Sequence, residues 1–172
     1  MSKRIITFGK WNDQPIEWVV LKEDHFQLLV ISRWVIEIRR FDSSSSGRKW
    51  KDSELRSYLQ NEFYEKAFTV KEKQQIVNTK LEDVGDTKDN VFILSKEEMI
   101  KLLADGDDYE NRYYNRCDYC TWTRTQNGSY VLNGYAKGCW CGDQSLNCPY
   151  AVRPAMFLKK TTNGVDGVTA SS

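Results

Sequence analysis

The chain lacks any apolar run approaching the roughly 20 residues needed to cross a bilayer, which excludes a membrane-spanning helix. It has no surplus of either charge. Its 25 Lys and Arg face 24 Asp and Glu, for a net charge of +1, and basic and acidic residues alternate as they do on a solvated surface. A dedicated nucleic-acid binder would carry a basic excess, so no nucleic-acid partner is expected. The first residues, Met1 to Ile6, lack the apolar core and cleavage site of a signal peptide, so a cytoplasmic chain is expected as encoded, with surface or virion display only by other means. There is one histidine, His25, and it stands far along the chain from any cysteine, which leaves a Cys–His nucleophile pair without its base. The five cysteines are an odd number, which disfavours a complete disulfide framework and fits free thiols in a reducing compartment.

A length of 172 residues with 40% hydrophobic content is enough for one globular domain with a real core. Ile16 to Leu21 and Phe26 to Ile31 flank the polar break Lys22–His25, the pattern of an antiparallel hairpin. Trp34 to Ile38 extends it as a third strand. The run Ser43–Gly47 is a loop by composition. A helix starts near Asp52 or Ser53, where Leu55, Tyr58, Leu59 and Phe63 form one apolar stripe. Thr69 with Glu72 and Ser95 with Glu98 have capping-box spacing, and Leu94 with Met99 has that of a hydrophobic staple. Asn90 to Leu94 reads as a buried strand, and the helix after it stops by Gly106. Ser129 to Leu132 and Ala151 to Leu158 are strands, the latter placed at an edge or a bulge by Pro154. The tail, residues 161–172, reads as mobile.

Composition changes abruptly in the last third. Seven of the nine tyrosines and all five cysteines lie between Tyr109 and Tyr150, together with five asparagines. From Asn111 to Tyr150 there is no glutamate, and Lys137 is the one lysine. Tyrosine and tryptophan give large, stiff contact area at low entropic cost, and asparagine and serine give adaptable hydrogen bonds, the composition of a binding surface. Aromatic anchors are expected at Tyr113, Tyr114, Tyr119, Tyr135, Trp140 and Tyr150. Asn115, Arg116, Asp118, Asn127, Asp143 and Asn147 are the polar contacts. Trp122 and Val131 belong to the core beneath. An alternative for the window is loop-rich aromatic packing.

Cys117-x-x-Cys120 has the bite of a zinc turn, and Cys139 and Cys141 could complete a tetrahedron. Strand alternation, however, sends the two side chains of Cys139-x-Cys141 to opposite faces. Isolated thiols, a structural zinc and disulfides remain the three readings. No cofactor is expected. Asp105, Asp107, Asp108 and Glu110 could offer oxygen ligands to calcium, but their order matches no EF-hand loop, and a solvated helix exit is the simpler reading.

An ordered set of segments resembles a bacterial domain family without a firmly assigned activity. The set is Phe8-Gly9, Pro15–Leu21, Leu28–Ser32, Trp50, Ser53, Leu55-Arg56, Leu59–Asn61, Phe63, Ala67-Phe68, Val91–Ser95, Trp122–Arg124 and Val152–Ala155. The Trp-containing motif, the intervening variable stretch and the closing Val-Arg-Pro strand also resemble the C-type lectin-like fold. That group includes the formylglycine-generating enzymes and the variable proteins of diversity-generating retroelements. In those variable proteins the C-terminal part of the domain contacts ligand and is diversified at template adenines, which turns Asn codons into Tyr, Asp, Ser, Cys, Gly or Thr. Residues 112–121 and 138–150 read like lines of such codons. The resemblance implies an α+β, C-type lectin-like domain over residues 1–160: a short antiparallel sheet, two or three helices and a display region at 109–150. It implies non-enzymatic recognition of a protein or glycan. A zinc- or cysteine-dependent module on the same fold is the alternative. On the fold analogy, Arg153 is a structural residue bonded to main-chain carbonyls near the recognition face, a role suited to five fixed donors.

Overall fold

The computed structural model describes residues 4–44, 49–103, 121–125, 129–132, 140–144, 146–160 and 169–170, with backbone alone at residues 103, 129–132, 140–144 and 169–170. The fold is mixed α+β. The first sheet is antiparallel throughout and is built mainly from the N-terminal half. β1 (Ile5–Trp11), β2 (Gln14–Glu23) and β3 (Gln27–Ser32) form a meander. The expected hairpin is present, and His25 is exposed at its turn, where the Asp24 carboxylate accepts from the amides of Phe26 and Gln27. The full order of this sheet is β13-β1-β2-β3-β12-β5, with β5 at Ile76–Val77, β12 at Ala155–Lys159 and β13 at Thr169–Ala170. Part of the tail is thus paired with β1.

The second sheet has the order β10-β9-β8-β11-β4. Its strands are β4 (Glu37–Arg40), β8 (Thr121–Trp122), β9 (Ser129–Leu132), β10 (Trp140–Gln144) and β11 (Pro149–Val152). All its pairings are antiparallel except β8 with β11. A small hairpin of β6 (Thr79–Leu81) and β7 (Thr87–Asp89) stands apart.

The helices follow their local chemistry. Ser53 caps α1 (Glu54–Tyr58) by accepting from the Arg56 amide. The helix then widens into a π turn at Leu59–Phe63 and returns to α geometry in α2 (Tyr64–Ala67). The stripe residues Leu55, Tyr58, Leu59 and Phe63 are all buried. α3 (Val70–Lys73) begins with the Thr69–Glu72 capping box. α4 (Lys96–Leu103) begins with a second one, in which Ser95 Oγ accepts from the Glu98 amide and Glu98 accepts from the Ser95 amide. Leu94 and Met99 are both buried.

Three sequence expectations are corrected. Trp34 to Ile38 does not extend the hairpin. The chain leaves the first sheet there, and β4 begins only at Glu37, in the second sheet. Asn90 to Leu94, buried from Val91 onward, is not a strand. Its sheet contact is a single bridge, Phe92 with Ala155, made by two hydrogen bonds of 2.9 and 2.6 Å. Ala151 to Leu158 is not one strand. It is divided at Arg153-Pro154 into β11 and β12, which belong to different sheets, and β12 is interior rather than at an edge.

Gly9 shows how tightly the meander meets the helical segment. It holds φ at +71°, and a Cβ there would stand 2.6 Å from the Phe68 ring and 2.8 Å from the Ala67 carbonyl oxygen. Gly85 has a similar φ of +86°, but its nearest neighbour would be Lys51 Cδ at 3.8 Å. Gly9→Ala is expected to lose more than about 2 kcal/mol, through clash and left-handed strain together. Gly85→Ala should lose only about 1 kcal/mol, the backbone cost. Urea unfolding of both variants checks this, and equal losses would contradict it.

Candidate functional site

The Tyr-rich window begins beyond α4 and re-enters the described fold at Thr121. What holds it there is built from charge and aromatic stacking. Arg124 stands two residues beyond β8 and is 3% exposed. Its guanidinium donates to both carboxylate oxygens of Glu98, at 2.6 and 2.8 Å, to the Ile93 carbonyl at 2.7 Å, and to Asp83 at 3.1–3.3 Å. It also lies 5.3 Å over the Phe92 ring. Burial works against its charge, but the Glu98 and Asp83 carboxylates outweigh burial and hold its pKa above the ordinary guanidinium value. Two main-chain ties run beside it. The Arg124 amide donates to the Leu94 carbonyl, and the Lys96 amide donates to Thr125 Oγ1.

Trp122 supplies the aromatic part. Its Nε1 donates to the Arg39 carbonyl at 2.8 Å, and its ring stacks on Phe41 at 5.4 Å and edge-on against Tyr150 at 4.9 Å. Phe41 continues the row to Trp50. Trp50 Nε1 and the Arg56 guanidinium both donate to the buried Asp89 carboxylate, at 2.7 Å each. Leu146 closes the far end, where its carbonyl accepts from the amides of Phe41 and Asp42.

Arg153 bonds to main-chain carbonyls, as expected of it. Nε and Nη2 donate to the Ser32 carbonyl at 3.0 and 2.7 Å, and Nη2 reaches the Arg33 carbonyl at 3.4 Å. Next to it the Ser32 amide donates to the Pro154 carbonyl, and the Ile36 amide donates to the Val152 carbonyl.

Of the expected contact residues, Tyr113, Tyr114, Asn115, Arg116, Asp118, Tyr119, Asn127 and Tyr135 lie outside the described residues, as do Cys117, Cys120, Cys139 and the acidic residues 105–110. Trp140, Cys141 and Asp143 fall on β10, where pairing with β9 is regular at Trp140 and Cys141 and shifts register before Gln144. Asn147 is exposed in the turn before β11, next to the exposed free thiol of Cys148. Tyr150 is half-buried, with one edge of its environment taken by Trp122. Trp122 is core, as expected. Among the described residues no group of three or more His, Cys, Asp or Glu side chains could hold a metal, and no helix is long and apolar enough to cross a membrane.

Sequence reasoning assigned Glu98 to the helix cap alone. Its second task, neutralising Arg124, connects residues 26 apart, and no local spacing announces it. The available signal was a lone arginine two residues beyond the core Trp122, which needs a counter-charge if it follows that residue inward.

Residues 25–160 match the model of a family described as Domain of unknown function (DUF6273), and the chain belongs to that family. No curated protein and no solved structure matches the chain.

Two substitutions test the attachment. Glu98→Gln keeps the capping-box acceptor and removes the charge facing Arg124. It should lose about 1–3 kcal/mol, and much less once Arg124 is already Met, in a double-mutant cycle read by urea unfolding. Arg153→Lys should lose a similar amount, because an ammonium cannot reproduce the planar fork to two carbonyls. Unchanged stability in Arg153→Lys would overturn its structural role.

Proposed function

We propose that this member of the DUF6273 family is a non-enzymatic recognition module with a C-type lectin-like arrangement, and that residues 109–150 carry its contacts to a protein or glycan ligand. The observation that carries this reading is where the composition changes. The stretch rich in Tyr and Asn coincides with the part of the chain that supplies β8, β9 and β10, outside the six-stranded sheet that holds much of the core. Substitution in such a stretch leaves the main sheet's strand pairs untouched.

The points of attachment support the same division. Arg124, Trp122 and Arg153 bond to Glu98, Ile93, Arg39 and Ser32, all of which precede the window. A surface held by a few fixed polar ties and one aromatic row can vary between them. Tyr113, Tyr114, Tyr119, Tyr135 and Trp140 are the aromatic anchors in this reading, with Asn115, Asp118, Asn127, Asp143 and Asn147 as polar contacts. Tyr150 contributes whatever of its ring Trp122 leaves open. The finer proposal is a retroelement-diversified variable protein.

Sequencing the codons for residues 109–150 across a native population tests it. Substitutions confined to adenine positions of a nearby template, with residues 1–108 and Arg124 and Arg153 unchanged, are the expected result. A window as invariant as the rest of the chain contradicts it. Stoichiometric zinc that disappears in Cys117→Ser would replace it with the metal-dependent reading.

A further inference from the structure

The second sheet ends in a strand that is paired on one side. β4 (Glu37–Arg40) lies against β11, and no other described strand pairs with it. The ladder with β11 runs through four successive residue pairs without a shift. Alternate residues of an antiparallel strand turn their main-chain groups to opposite sides. Three observations set which way each residue turns here. The Phe41 amide donates to the Leu146 carbonyl, in the turn before β11. The Arg39 carbonyl accepts from the indole of Trp122, which stands on β8, beyond β11. Pro149, opposite Arg40, has no amide to give. The odd positions therefore face the sheet, and the amides of Ile38 and Arg40 face away from it.

The other sheet edges are spoiled for pairing. β10, at the far side of the same sheet, shifts register before Gln144. β5 and β13, the edges of the first sheet, are two residues long. Shifts and short strands both protect an edge. β4 is longer than β5 and β13 and unbroken, and its charges are of both signs. Ile38 is 45% exposed on it, and Arg40 is exposed as well.

The order of those charges selects a partner. A second copy of β4 lying antiparallel to the first is related to it by a two-fold axis perpendicular to the sheet, because facing residues share a face. An axis at Arg39 sets Arg39 against its own copy, like charge against like. An axis at Ile38 sets Ile38 against Ile38, so an exposed apolar side chain gains cover. The same axis sets Glu37 of each copy against Arg39 of the other. Within one chain these two residues form an ion pair of 2.9 Å, with both partners partly exposed, which holds them weakly. The Arg39 guanidinium lies 3.8 Å over the Tyr58 ring, which keeps it on the face that Glu37 shares.

We propose that the free edge of β4 is a self-association surface, where two copies join into one continuous sheet about the Ile38 position. The join is small, so the dimer is weak and reversible. β10 stands at the edge opposite β4, so the β10 strands lie at the two outer ends of the joined sheet. The inference rests on the edge alone and is independent of the recognition reading.

The test is sedimentation equilibrium of the full chain from about 5 to about 500 µM, with melting curves of every variant alongside. The expected result is a monomer–dimer equilibrium with Kd of about 10–100 µM. Ile38→Asp, at an exposed position, sets two carboxylates face to face and should raise Kd about tenfold or more. Glu37→Arg and Arg39→Glu each set like charges across both pairs and should raise Kd to a similar degree. Mixed in equal amounts, these two variants should recover the dimer, because each supplies the charge that the other lacks. A purely structural role for either residue would not produce that recovery. A chain that stays monomeric up to about 500 µM, a dimer that Ile38→Asp leaves unchanged, or no recovery on mixing would each overturn the proposal.

Discussion

The structure depends on the place where two chain segments pass together from one sheet to the other. β3 continues into β4, and β11 continues into β12. The two runs pair antiparallel on both sides of the crossing, with Ile31 opposite Ala155 in the first sheet and Glu37 opposite Val152 in the second. Between those positions five residues, 32–36, face only two, Arg153 and Pro154. The excess must leave the ladder, and its main-chain groups must find other partners or remain unsatisfied in a buried setting. Arg153 answers that requirement by donating to the Ser32 carbonyl twice and reaching that of Arg33, while Pro154, which has no amide to place, offers its carbonyl to Ser32. The displaced residues carry Trp34 outward, 41% exposed, where Glu17 accepts from its Nε1 and Arg33 lies 4.9 Å over its ring.

With that crossing fixed, the second sheet has a defined position, and the rest of its attachment is a matter of two further ties. Arg124 bonds β8 to the start of α4 and to the turn at Asp83. Trp122 bonds it to β4 and to the row Phe41–Trp50. The same Glu98 that caps α4 also neutralises Arg124, so helix start and strand end are one electrostatic unit. A buried guanidinium left without its carboxylates would be strongly destabilising. The hydrogen bonds of Arg124 and of the Trp122 indole thus tie the window to residues outside it.

What could be read from the sequence divides along the range of the interactions. Ser53, Thr69–Glu72 and Ser95–Glu98 cap helices through contacts three residues long, and each was legible. So was the β2–β3 hairpin, where alternation and a polar break lie side by side. Asn90 to Leu94 misled because burial alone makes a segment apolar, and here burial comes with one bridge to Ala155 instead of a ladder. Ala151 to Leu158 misled because both sheets bury it, so its apolar pattern runs on through the crossing. The cause of the break is Ser32, 121 residues away. The bonding of Arg153 to main-chain carbonyls was expected on the fold analogy and suits its five donors, but which carbonyls it meets is a property of topology.

The central claim is the proposal that Trp122, Arg124 and Leu146 hold the window to the fold and that its remaining polar and tyrosine side chains serve contact. The most direct test replaces Tyr113, Tyr114, Asn115, Asp118 and Tyr119 together with serine and measures thermal and urea unfolding against the parent chain. The account predicts a cooperative transition within about 1 kcal/mol of the parent, as for surface substitutions that touch none of the fixed ties. A loss of several kcal/mol, or loss of the transition, would show that these side chains are packing residues, and would contradict it.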